Sequence, residues 1–127
     1  MVLFANIFVG LTAILHILFF KLESIDFMKP KTLRRFGLNS TSGAFVKTWA
    51  FNHGFYNLFL ALGLLYSMFL INTGQIESGK VLANFILLLI VGAGVILAIS
   101  APKKYVAAIT QAVPALLGIL FIFFSFN

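Results

Sequence analysis

Apolar residues gather along this chain into four long runs, approximately 2–22, 48–72, 81–100 and 105–126, with polar segments between them. A helix rising ~1.5 Å per residue needs about 20 residues to cross a ~30 Å hydrocarbon core, and every run meets that length. The pattern predicts an all-α membrane protein whose four transmembrane helices form an antiparallel bundle in a single domain over residues 1–127. The first run lacks a basic leader, is longer than a signal-peptide core and continues directly into Lys21 and Glu23. It therefore reads as a helix of the mature protein.

The connections are unequal. Residues 23–47 hold Pro30, the basic pair Arg34 and Arg35, and a Gly/Ser/Thr/Asn-rich run over 37–43, which predicts a surface loop with one short interfacial turn. Residues 73–80 and 101–104 are short, and Pro102 ends the helix before it. Short links make antiparallel neighbours of the last three helices. The first and third connections carry Lys21, Lys29, Lys31, Arg34, Arg35, Lys47, Lys103 and Lys104, against Lys80 alone on the opposite side. Eight basic residues against one predict that loops 23–47 and 101–104 are cytoplasmic and both termini outside. Trp49 then falls at the cytoplasmic interface, where an indole is stable.

Composition agrees with this class. Of 127 residues 61% are hydrophobic and only 9% charged, whereas a soluble domain carries about 25% charged residues. The net charge of +6 lies almost wholly between the apolar runs, so it reads as membrane-orienting charge rather than a nucleic-acid surface. With no Cys, thiolate chemistry and disulfides are excluded. Gly54 with Ala61, Gly94 with Ala98, and Ala108, Ala112, Ala115 and Gly118 stand at helical spacing, where small side chains let helices approach closely in lipid.

Polar residues inside the runs carry the functional signal, because hydrocarbon penalises them. The first run has Asn6, Thr12 and His16, with Glu23 at its end; positions seven apart nearly coincide on an α-helix, so His16 and Glu23 share a face. The second has Asn52, His53, Tyr56 and Asn57 on one side, and the last has Gln111 before Pro114. His16, His53 and Gln111 each lie roughly 8–9 Å below the cytoplasmic surface at ~1.5 Å per residue. The third helix offers only Gly92 and Gly94 near that level, which would leave room. A polar pocket in the cytoplasmic half is therefore expected, with Trp49 at its rim. Plain interhelical hydrogen bonding, each bond contributing about 0.6 kcal/mol, is the competing account. For Glu23 it has the advantage, since an end-of-helix carboxylate pairs readily with Lys21 or a loop arginine.

The run Asn52-His53-Gly54-Phe55-Tyr56-Asn57, followed by Leu60-Ala61-Leu62-Gly63, resembles the Asn-Gln-Gly-x-Tyr-Asn signature of a family of short four-helix bacterial integral membrane proteins of unknown function, the DUF1304 proteins. His16 with Glu23, and Gln111 with Pro114-Ala115, resemble that family's first-helix and last-helix motifs, and the likeness spans nearly the whole chain. It departs at His53, where the family has Gln, and at Leu15, where it has an acidic residue. The resemblance implies a bacterial plasma-membrane protein and supplies no activity.

The first functional expectation is a site for a small lipophilic molecule, with acid–base chemistry of the isomerase or epimerase type. There His16 shuttles the proton, Glu23 supports it through water, and Asn52, His53, Tyr56, Asn57, Gln111 and Trp49 bind. The alternatives are a small oligomeric carrier of a cation or amphiphile, and a structural or accessory subunit. No cofactor is expected; haem held by His16 and His53 is the weaker alternative, and zinc on His16, His53 and Glu23 weaker still. The expected partners are membrane lipid, a lipophilic ligand and further copies of the chain, with no nucleic acid.

Overall fold

The computed structural model describes residues 2–126, and among them no strand occurs. The helices are α1 (Val2–Phe20), α2 (Pro30–Phe36), α3 (Ser40–Asn72), α4 (Ile76–Ser100) and α5 (Tyr105–Phe126). A π-helical turn, Lys21–Ile25, continues α1, and a 3₁₀ turn, Pro102–Lys104, precedes α5. Four helical stretches are long and apolar enough to cross a membrane: Val2–Ile25, Ser40–Asn72, Ile76–Ser100 and Pro102–Phe126. In none of them is more than 39% of the apolar window buried by protein. Phe69, Phe85, Ile99 and Phe124 are among the large apolar side chains left outside, a distribution that suits hydrocarbon and not water.

Two helices begin earlier than their apolar runs. α3 starts at Ser40 because Asn39 caps it: Asn39 Oδ1 accepts from the Ser42 amide at 2.9 Å, and the Asn39 amide donates to Ser42 Oγ at 3.0 Å. This reciprocal pair is a capping box, so the polar run predicted as loop is half a helix start. α4 starts at Ile76, and its polar first turn is helical, with Lys80 on Glu77 at 3.0 Å. Polarity there marks exposure to water rather than absence of helix. α2 also replaces much of the predicted loop. Pro30 opens it, and Gly37, at φ 75°, closes it with the Leu38 amide bonded to Leu33 O at 2.9 Å and the Gly37 amide to Arg34 O at 3.0 Å.

The chain divides into two compact units, one of Met1–Leu15 with Ala61–Asn127 and one of His16–Leu60. In the first, small residues set the contacts. Gly79 lies so near α3 that a Cβ there would sit 2.8 Å from Ser67 O and 2.9 Å from the Ile71 amide nitrogen. A Cβ on Gly94 would come within 2.7 Å of Ala112 Cβ and 3.1 Å of Ala108 O. Gly118 meets Leu87 and Val9, while Phe4 and Phe8 stack on Phe121 at 5.4 and 5.2 Å. Leu64, Leu87, Ile90 and Ile122 fill the centre. Ala98 is exposed, so Gly94 makes its contact without it, and Gly92 faces open space. The space beside Gly94 is taken by α5, including Gln111 Cγ, rather than left as a cavity.

The second unit is held by rings and polar groups. Phe20, Phe51 and Phe59 each pair with Phe55 at centroid distances of 5.1, 5.0 and 6.2 Å. Gly54 backs onto Ser24, whose hydroxyl donates to Phe51 O at 2.7 Å. Leu33 of α2 lies over Gly43, and Phe27 meets Phe36 at 5.6 Å. Asp26 receives both Lys21 and Lys29, the latter at 2.8 Å. These two ammonium groups, Lys21 first, hold its carboxyl below the ordinary aspartate range.

Candidate functional site

The chemistry of the second unit centres on Glu23. Its backbone lies in the π turn, closed by the Asp26 amide on Lys21 O at 2.8 Å, an i→i+5 bond. One extra residue in the turn rotates everything after it, so the α-helical projection that put Glu23 on the His16 face no longer applies. Glu23 Oε2 instead accepts from Asn57 Nδ2 at 2.8 Å and bonds His53 Nδ1, also at 2.8 Å. Lys21, expected as its partner, is engaged by Asp26. The Glu23 side chain is 14% exposed and Asn57 is buried, whereas the His53 side chain is 67% exposed.

Beside this trio runs an open groove of about 540 Å³. Glu23, Asn52, His53 and Tyr56 supply its polar wall, and Trp49 and Phe36 are among the apolar residues facing them. Asn52 and Tyr56 line it from exposed positions, the Asn52 amide also donating to Thr48 O at 2.9 Å. The structure thus brings Glu23, Asn52, His53, Tyr56 and Trp49 to one groove, with Asn57 behind Glu23. His16 is not among the groove's lining residues; it is buried at 1% exposure, edge-on to Phe19 at 5.4 Å. Gln111 belongs to the other unit, beside Gly94. Among the described residues no three His, Cys, Asp or Glu side chains gather closely enough to hold a metal ion, so the His16–His53–Glu23 zinc set does not form.

Phe27, Phe36, Leu38, Val46 and Ala50 also line the groove, and none had been singled out from the sequence. The signal for them was Pro30 and Gly37 bracketing Leu33 and Phe36, the start and stop marks of a short helix that folds this wall into place. Nothing in the sequence announced the Glu23 contacts, which join residues 30 and 34 positions apart across a π turn.

No curated protein and no solved structure matches the chain. A family model, "Protein of unknown function (DUF1304)", matches residues 10–123. With four apolar spans and a match covering nearly its whole length, this small multi-pass membrane protein belongs to the DUF1304 family.

Proposed function

We propose that the groove binds a small lipophilic molecule with a polar head, and that the Glu23–His53 pair performs proton transfer on it. One observation carries this reading: a mostly shielded carboxylate holds His53 by Nδ1 while the imidazole itself lines the groove. With Nδ1–H donating to Glu23, the ring is fixed in one tautomer and Nε2 keeps a lone pair for a substrate proton. An isomerisation or epimerisation beside a carbonyl balances within the substrate. The imidazole takes a proton from carbon and returns one to another carbon or the other face. Asn57, held by the same carboxylate oxygen, fixes Glu23, while Asn52 and Tyr56 offer hydrogen bonds to the head group. The role first assigned to His16 passes to His53, since His53 lines the groove.

In this reading the protein lies in a bacterial plasma membrane with residues 23–47 and 101–104 on the cytoplasmic side and both termini outside. A reporter fused after Asn127 that works only in the cytoplasm, and works there, would reverse that orientation.

Trp49 is the chain's single tryptophan and lines the groove, so its fluorescence reports occupancy. A brominated long-chain alcohol added to the reconstituted protein should quench Trp49 saturably, and Tyr56→Phe with Asn52→Ala should weaken that quenching. Proton transfer is read as loss of deuterium from the α-carbon of a long-chain ketone, abolished by His53→Ala. Quenching that rises linearly with bulk lipid bromine, together with no deuterium loss, would leave Glu23, His53 and Asn57 as a structural latch in an accessory subunit.

A further inference from the structure

A second feature of the His16–Leu60 unit shares only Trp49 with the groove. The unit holds six basic side chains, Lys21, Lys29, Lys31, Arg34, Arg35 and Lys47, and two acidic ones, Glu23 and Asp26. Both carboxylates are already engaged, Asp26 by Lys21 and Lys29 and Glu23 by His53 and Asn57. No carboxylate of the unit remains for Lys31, Arg34 or Lys47, and all three are exposed. α2 presents Lys31 and Arg34 outward because Thr32 and Leu33 turn inward, Leu33 seating on Gly43. Arg35 is exposed beside them.

The level at which these charges lie follows from the length of α3. Thirty-three residues at ~1.5 Å each span about 50 Å, against ~30 Å of hydrocarbon and about 40–45 Å of whole bilayer. The surplus falls at the N-terminal end, since residues 40–48 contain Ser40, Thr41, Ser42, Lys47 and Thr48 whereas residues 58–71 are almost wholly apolar. Yet Phe45 and Trp49, one turn apart there, are 86% and 74% exposed. Exposed rings with Lys47 on the same turns, and the exposed cations of α2 in the same unit, match the headgroup layer, where aromatic rings and basic side chains both find partners.

We propose that Lys31, Arg34 and Lys47, with Phe45 and Trp49 between headgroups and acyl chains, form a docking surface for anionic phospholipid headgroups. Charge complementarity selects the lipid: a phosphodiester carrying net negative charge is attracted, and a zwitterionic headgroup is not. Each cation near an anionic surface contributes about a fivefold increase in association, weakened by salt.

The test uses the full-length protein, delipidated in detergent and offered phosphatidylglycerol and phosphatidylcholine of equal chain length in equimolar amounts, with adducts counted by native mass spectrometry. Phosphatidylglycerol adducts should exceed phosphatidylcholine adducts about a hundredfold, a factor of about five for each of the three cations. The triple variant Lys31→Gln/Arg34→Gln/Lys47→Gln should bring the two near parity, while Lys103→Gln/Lys104→Gln should keep the preference. Helical circular dichroism checks that the triple variant is folded; should it not be, Lys31→Gln and Lys47→Gln alone should each lower the preference about fivefold. Equal retention of both lipids by the native chain, an unchanged preference in the variants, or an equal loss on changing Lys103 and Lys104 would overturn the proposal. Displacement of the lipid by millimolar inorganic phosphate would also overturn it, showing a phosphate site in place of a lipid surface.

Discussion

The unit of Met1–Leu15 and Ala61–Asn127 and the unit of His16–Leu60 keep polar groups out of hydrocarbon by opposite means. In the first, glycine and alanine let backbones close together, and the Ser67 and Thr12 hydroxyls each donate to a carbonyl of their own helix. The second is joined by a carboxylate, an imidazole, an amide, a serine hydroxyl and an Asp–Lys latch. Close packing through glycine and alanine puts no titratable side chain at those contacts, whereas hydrogen bonding through a shielded carboxylate leaves one imidazole in a groove. The difference locates the candidate site in the smaller unit.

Four changes probe that contrast, in decreasing order of expected cost. Gly79→Ala meets backbone atoms, Ser67 O and the Ile71 amide nitrogen, that no rotamer change can move away. It should cost about 3 kcal/mol, read as loss of thermal or unfolding stability in detergent. A cost near zero would mean the first unit is not packed through its glycines.

Glu23→Gln keeps the shape and removes the charge that both Asn57 and His53 bond, at a cost of about 1–2 kcal/mol. A double-mutant cycle with Asn57→Leu should give a coupling of about 1 kcal/mol, whereas Glu23→Gln with Gly79→Ala should be additive. Additivity in the first cycle would dissolve the trio.

Asn39→Ala deletes the side-chain half of the capping box, leaving the backbone amide on Ser42 Oγ, and should lower stability by about 1 kcal/mol. Hydrogen exchange should rise at residues 40–44 and stay unchanged in α4. Protection that is unaltered at 40–44 would show that α3 holds its early start without the cap.

The smallest effect concerns pH. Asp26 is held below its ordinary value by Lys21 and Lys29, so its contribution is present above the unfolded-state value near 3.9 and fades as pH falls through the lower folded value. Proteolysis between Asp26 and Pro30 should increase only under that acid condition, and Asp26→Asn should be sensitive at neutral pH. Equal cleavage of both forms at neutral pH would remove the latch from the account.

Read alone, the sequence establishes an all-α membrane protein with four apolar spans, because length and hydropathy are sums along the chain and need no partner. It also marked the polar residues of α3 and the small residues at helix contacts, since helical periodicity is local. Tertiary structure alone decided which polar groups meet. His16, His53 and Gln111 had been grouped by depth, and Glu23 with His16 by face, on ideal α-helices, but the π turn at Lys21–Ile25 re-aimed Glu23 to His53 and Asn57. α2 then closed the groove with Phe36, in a segment whose polar composition reads as loop. A π turn has no composition of its own, and a capping box hides among loop-like residues. Contacts between positions 30 or more apart depend on such small rotations, which accumulate in three dimensions and leave no period in the chain.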